Sequence, residues 1–405
     1  MRTRDGLFFA VLLLPLLVVA AAAGGGGGGG VARLFVPTAR YPCFRQPVLI
    51  PAGGGDHAAV LLAFAENRNV TACAPDFPAK TRAKTRAKTM PKMPNEVGSL
   101  HLRRSTDGGR TFSAMQTLFV GNIDFYSGVF DDSTGRTWLF LEAAGQAADP
   151  TGVQVLYSDD AGETWQDPEQ LPASAVPPPP FSPNVKPTVG HGIQMASGRL
   201  VIPFVCTNTS ASGGGGGDKG ACPQCQSCLL VSDDAGKTWK FTTAYGQSGS
   251  RESVVVETLP GCLFASERNF GPTPGHRMWA RSTDGGDTYS SFGLNLGLDT
   301  PVTDHWTGIV GAVASLGIAG APQSLAFASA ASPNVRANMT VKTSSDGGAS
   351  WVPTGVQVWD GPAGYADMVS FGSGKLGVLF EGGTNTFADW IGFAELNATS
   401  LFGDL

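Results

Sequence analysis

The chain is predicted to be all-β, a six-bladed propeller, on three observations. An eight-residue turn recurs five times, the copies stand about sixty residues apart, and no segment carries a long helical period. The first copy is Ser105-Thr-Asp-Gly-Gly-Arg-Thr-Phe112. The others are Ser158-Asp-Asp-Ala-Gly-Glu-Thr-Trp165, Ser232-Asp-Asp-Ala-Gly-Lys-Thr-Trp239, Ser282-Thr-Asp-Gly-Gly-Asp-Thr-Tyr289 and Ser344-Ser-Asp-Gly-Gly-Ala-Ser-Trp351. Asp107, Asp160, Asp234, Asp284 and Asp346 can accept hydrogen bonds from the N–H groups of their own turns. Gly109, Gly162, Gly236, Gly286 and Gly348 permit positive φ, and the closing aromatic anchors each turn against a sheet. Successive aspartates are 53, 74, 50 and 62 residues apart, so the roughly 375 residues after the leader divide into about six units.

Between the turns run short β-rich bursts: Ala59 to Phe64, Thr137 to Leu141, Leu200 to Val205, Ser253 to Glu257, Met339 to Lys342 and Leu376 to Phe380. Arg33 to Pro37 and Trp390 to Leu396 both read as strands, and are expected to share one blade and close the ring. Blades stacked about a channel bring loops together at one end, so a ligand site would gather residues distant in sequence. Pro177 to Pro180 and Gly213 to Gly217 read as blade loops, which leaves residues 31–405 as one domain.

Arg2 and Arg4, an apolar run from Leu7 to Ala23 and seven glycines, Gly24 to Gly30, have the order of a signal peptide. The run is shorter than the ~20 residues a membrane span needs, so residues 1–30 are set aside as a leader and no stable membrane span is expected after its cleavage. A secreted or secretory-pathway protein, extracellular or in a lysosome-like compartment, fits four glycosylation sequons at Asn69, Asn208, Asn338 and Asn397. Seven cysteines leave at least one unpaired in an oxidising compartment. Cys222, Cys225 and Cys228 read as a disulfide or free-thiol loop, since no fourth metal ligand is near. The net charge of −5 argues against a nucleic-acid partner, although Ala79 to Lys92 holds six basic residues without an acid. That insert reads as a solvated loop or as a basic rim attracting anionic substrates.

Charged or phenolic side chains beside apolar runs need a specific use, because burying them otherwise costs free energy. Five places stand out: Arg45 in Tyr41-Pro-Cys-Phe-Arg-Gln-Pro47; Glu66-Asn-Arg68, followed by Asp76; Glu252, with Arg268 sixteen residues on; Arg336 ahead of Met339 to Lys342; and Tyr365 in Gly364-Tyr-Ala-Asp.

The repeated Ser-x-Asp-x-Gly-x-Thr-Trp turns resemble the Asp boxes (BNR repeats) of exo-α-sialidases, glycoside hydrolases built on a six-bladed propeller, and the likeness runs from Arg45 to Glu381. Phe44-Arg45-Gln46-Pro47 resembles the family's Phe/Tyr-Arg-Ile-Pro, with Gln46 in place of isoleucine. The resemblance implies that Arg45, Arg268 and Arg336 form the triad that clamps the sialic acid carboxylate, with Arg68 in the pocket. It makes Asp76 the acid/base, Tyr365 the nucleophile, Glu252 its activator and Glu381 the support behind Arg45. The loop bearing Asp76 departs from the family in length, and Asp56 and Asp124 are further aspartates in loops.

Retaining hydrolysis of terminal sialic acid from glycoproteins, glycolipids or oligosaccharides is the implied activity, and no feature demands a cofactor or metal. A trans-sialidase, a hydrolase of deaminated sialic acid and a non-catalytic propeller lectin are the alternatives. Tyr365, Glu252 and Asp76 speak against the lectin. Asn69, one residue past Arg68, is expected to be unglycosylated or directed away from the pocket.

Overall fold

The computed structural model describes residues 19–20, 30–53, 60–70, 73, 98–143, 151–210, 222, 224–271, 275–302, 308–318, 320–372 and 374–401. Among them the chain is all-β: there is no α-helix, only a 3-10 turn at Thr399–Leu401, and no helix long and apolar enough to cross a membrane. Asp76, Asp56 and the basic insert Ala79 to Lys92 lie outside the described residues, as does most of the leader. Within that leader Val19–Ala20 pairs antiparallel with Thr111–Phe112, a short contact that the sequence reading set outside the fold.

Strands are hydrogen-bonded into antiparallel sets in chain order. The first sheet contains Phe44–Pro51, Leu61–Asn67, Ser99–Ser105 and Gln116–Val120. In the second, Ile123–Asp131, Arg136–Ala143, Val153–Ser158 and Glu169–Gln170 follow one another, and Gly190–His191 lies parallel beside Ile123–Asp131. The third is built on Lys186–Pro187, Leu200–Thr207, Cys225–Ser232 and Lys240–Phe241. Ser250–Leu259, Cys262–Asn269, His276–Ser282 and Ser291–Asp299 make the fourth. A seven-stranded sheet completes the set, and within it the sixteen-residue strand Val356–Phe371 pairs with Ala337–Ser344 through its first half and with Lys375–Gly382 through its second. Ala32–Phe35 pairs antiparallel with Trp390–Asn397 in that sheet, so the first long strand and the last share it as expected. Asp124, read as a loop residue, falls instead within Ile123–Asp131.

Apolar runs such as Leu61–Asn67 are buried along their whole length, as strands covered on both faces must be. The turn repeats explain how the sheets are held to one another. Each joins the third and fourth strands of a set, and each is built alike. In the first, Ser105 Oγ accepts from Gly109 N at 2.8 Å and donates to Asp107 Oδ1, which also accepts from Thr111 N at 2.9 Å. Gly109, Gly162, Gly236, Gly286 and Gly348 all have φ between 82° and 91°. A Cβ on any of them would strike the preceding sheet: Phe393, Leu62, Trp138, Leu229 and Phe264 respectively. The closing aromatics lean the same way, Phe112 on Phe393 at 5.3 Å and Trp239 on Trp138 at 5.6 Å between ring centroids. The turns therefore stitch each sheet to the one before it, which adds to their expected role of closing hairpins.

Disulfides join Cys43 to Cys73, Cys206 to Cys228 and Cys222 to Cys225, and Cys262 is free. The triple-cysteine loop is thus a disulfide loop. Among the described residues no cluster suits a metal ion.

Candidate active site

Three inner strands each break a ladder beside a predicted site residue. Register shifts fall between Arg45 and Val48, between Arg251 and Val254, and between Ala363 and Ala366. Such bulges re-aim side chains. Two of them hold a non-glycine residue in the left-handed region, Gln46 at φ 58° and Glu252 at φ 50°, a conformation that persists only where surrounding bonds fix it. Gln46 is fixed on both sides: its N–H donates to Glu381 Oε1 at 2.9 Å, and its carbonyl accepts from the Tyr126 hydroxyl.

Glu381 is fully buried and satisfies four donors. Arg45 binds it with a two-pronged fork, Nε to Oε1 at 2.6 Å and Nη2 to Oε2 at 3.2 Å, and the N–H groups of Gln46 and Tyr365 supply the rest. A buried carboxylate so saturated fixes the planar guanidinium. Gly364 is required beside it, since a Cβ there would overlap Glu381 Oε2.

Tyr365 stands where the arginines meet. The guanidinium carbons of Arg45, Arg268 and Arg336 lie 5.5, 5.8 and 5.6 Å from its ring centroid. Its hydroxyl accepts from Arg268 Nη1 at 2.7 Å and donates to Glu252 Oε2 at 3.4 Å, while the same Arg268 nitrogen is 2.5 Å from Glu252 Oε2. Burial would raise the Glu252 carboxyl, but Arg268, Arg251 and Arg336 together hold it below its ordinary value, so the group is a charged base facing a phenol. Arg336 is buried, and its Nε has no hydrogen-bond partner among the described residues. Burial lowers its pKa against the pull of Tyr365, and Arg45 and Arg268 lower it further. This cation is therefore poised for an incoming anion. Arg68 pairs with Glu66 at 2.8 Å, beside the group, with its side chain one-third exposed. Burial works to lower its pKa, and Glu66, with Tyr365 and Glu381, more than reverses that.

The structure thus brings together Arg45, Arg268, Arg336, Tyr365, Glu252 and Glu381 from three sheets and sets Arg68 beside them, while Asp76 lies outside the described residues. Cys73, three positions before Asp76, is described: its carbonyl accepts from Arg45 Nη1 at 3.4 Å, and its disulfide partner Cys43 accepts from Arg68 N at 2.8 Å. Sequence reasoning did not single out Phe387, whose ring lies under both Arg45 and Arg336 at 5.0 and 4.9 Å, nor Phe270, under Arg268 at 4.4 Å. It also missed Asp367, fully buried, which accepts from Leu49 N and pairs with His191 Nδ1 at 2.8 Å. The Tyr-x-Asp spacing at 365 and 367, two residues on one face of a strand, was the available signal. Asn69 has its side-chain nitrogen buried.

A cavity of about 1330 Å³ is lined by Ile50, Val256 and Val369 toward the other end of the same inner strands, and by Val313. Tyr365 is not among its lining residues.

The profile of the BNR repeat-like domain family matches residues 126–378. A sialidase of Micromonospora viridifaciens is 29% identical over 331 residues, covering 75% of this chain and 47% of that protein. The chain spans about half the length of the curated relatives it matches. Among solved structures, the Hadza microbial sialidase Hz136 superposes with a TM-score of 0.67 at 19% identity, covering 89% of this chain and 67% of that one. The intramolecular trans-sialidase of Ruminococcus gnavus gives 0.64 at 17%, covering 91% and 98%. At these identities the structural likeness concerns the fold.

Proposed function

We propose, from the premise that the chain belongs to the exo-α-sialidase family with BNR repeats, that it is a retaining exo-α-sialidase acting through a tyrosyl-glycosyl intermediate. One observation carries this reading: three arginines distant in sequence surround a tyrosine whose hydroxyl lies between Arg268 and a charged glutamate. The fold proposed with it is a six-bladed propeller over residues 31–405. Dividing the seven-stranded sheet at the middle of Val356–Phe371 leaves six antiparallel sets, which supports the count. Cleavage of the leader and secretion complete the proposal.

A sialoside carries its carboxylate on the anomeric carbon. Arg45, Arg268 and Arg336 bind that carboxylate through planar forks and so fix the ring above Tyr365. A carboxylate nucleophile would be repelled there, whereas a phenol is neutral at rest. Glu252 takes the phenolic proton as Tyr365 Oη forms its bond to the anomeric carbon, and Asp76 gives its proton to the departing glycosidic oxygen. Water then attacks the same carbon, Asp76 removes its proton, the bond to Tyr365 breaks and Glu252 returns the proton to the phenol. Two displacements leave the configuration retained. Glu381 keeps Arg45 oriented throughout, and no step calls for a metal or cofactor.

The test is hydrolysis of a 4-methylumbelliferyl sialoside by the purified protein, beside its deaminated counterpart. Release of the fluorophore from the first supports the reading. Release from the deaminated sugar alone would change the substrate assignment, and release from neither would reject the activity.

A further inference from the structure

The site holds more positive charge than one substrate carboxylate can balance. Among the described side chains, Arg45, Arg68, Arg268 and Arg336 lie about Tyr365 and a fifth arginine, Arg251, reaches Glu252, while Glu66, Glu252 and Glu381 are the glutamates paired with them. One sialic acid carboxylate answers Arg336 and leaves Arg251. That residue is the direct cross-strand partner of Arg268, an arrangement of like charges that is destabilising on its own. The single Glu252 carboxylate stands between them, 2.5 Å from Arg268 Nη1 and 4.0 Å from Arg251 Nη2. Arg251 Nε is buried without a hydrogen-bond partner among the described residues, and such a donor is costly if it stays unsatisfied.

Aromatic rings hold this extra cation in line. Phe270 has Arg268 at 4.4 Å and Arg251 at 5.0 Å from its centroid. Phe125, on the second sheet, has Arg251 at 5.7 Å and Lys186 Nζ at 5.6 Å. Exposure rises along this ladder, the side chains of Arg268, Arg251 and Lys186 being 2%, 18% and 37% exposed. The ladder therefore leads from the reacting tyrosine toward solvent. Lys186 is balanced by Glu142 at 2.6 Å, so Arg251 is the cation left over.

We propose that Arg251, stacked between Phe125 and Phe270, binds a second anionic group on the sugar next to the residue held at Tyr365. The preferred substrates are then dianionic glycans. This rests on the sialidase reading above. A carboxylate on an adjoining sialic acid and a sulfate ester on an adjoining neutral sugar share the needed chemistry, a planar or trigonal set of oxygens facing a guanidinium fork.

Kinetics on matched pairs separate these sources: a disialyl glycoside against its inner methyl ester, and a sulfated sialyl oligosaccharide against its unsulfated parent. The wild-type protein is expected to favour at least one charged member by about tenfold in kcat/KM, mainly through KM. Arg251→Gln brings that ratio to near one, whatever it does to the neutral member, and Arg251→Lys falls between. A wild-type ratio near one for both pairs, or a ratio unchanged in Arg251→Gln, overturns the proposal. Calorimetric binding of the same pairs to Tyr365→Phe protein, with and without Arg251→Gln, reads the ratio without turnover. If no sialoside is cleaved but the charged members bind more tightly through Arg251, the activity assignment fails and this site stands. Equal binding of charged and neutral members refutes the site.

Discussion

The outer turns and the inner site are built from the same bonds, carboxylates accepting from N–H and O–H groups, and differ in where the partners come from. In a turn, every side-chain hydrogen bond of Asp107 or Ser105 spans at most four residues. At the site, Arg45 and Glu381 are 336 residues apart, Arg268 and Tyr365 are 97 apart, and Tyr365 and Glu252 are 113 apart. Eight residues suffice to specify a turn, whereas the site exists only once the sheets are ordered around it. The turn glycines pack on the preceding sheet, so the local motif governs the long-range one: the turns set the order that lets three bulged strands meet at Tyr365.

Mutations can separate the two. Tyr365→Phe strikes the site alone, and its turnover of an aryl sialoside is expected to fall by about 10³-fold or more, with thermal unfolding little changed. Full activity in that variant would break the separation. Gly236→Ala strikes a turn alone. It places a Cβ at φ 82° against the Trp138 ring, and a loss of about 2–4 kcal/mol in denaturant unfolding is expected, while the folded fraction keeps its kcat. A stable Gly236→Ala protein with impaired kcat would show that the turns reach the site directly.

Titration sharpens the contrast in a subtler way. The turn carboxyls sit below their ordinary values, and the Asp234 carboxyl, bonded to the Thr238 hydroxyl and N–H, is near 2. Such groups give stability that is present above the unfolded carboxyl range and lost as pH falls through the folded value. Glu267, next to Arg268 and fully buried, is the reverse: burial raises it from 4.5 to about 8 against the pull of Ser227 and Arg277. Its contribution is full below pH 4.5 and is lost as pH rises through about 8. Glu267→Gln is therefore expected to flatten the fall in melting temperature between about pH 5 and 9. Parallel melting curves for the two proteins would contradict it.

This division also decides what was legible in the sequence. The turns could be read down to the glycine φ, because their hydrogen bonds close within the motif, but their packing on the preceding sheet could not. The pairing of Ala32–Phe35 with Trp390–Asn397 was legible as two strand-like ends, and the residues that gather at Tyr365 as charges beside apolar runs. Cysteine pairing was open, since it depends on which strand ends meet. Arg251 passed unnoticed beside Glu252 because only the bulge that turns both toward the site gives it a role. Phe387, Phe270 and Asp367 look like ordinary strand residues until arginines from other sheets are laid over them.

The claim at the centre of this account is that Tyr365 carries the sugar between the two displacements. The direct measurement is peptide mass spectrometry of the protein after incubation with a 3-fluoro sialosyl fluoride, which slows release of the covalent intermediate. A fluorosialyl adduct is expected on the peptide containing Tyr365, absent from Tyr365→Phe. An adduct on another residue, or turnover of the reagent with no adduct on the tyrosine, would contradict it.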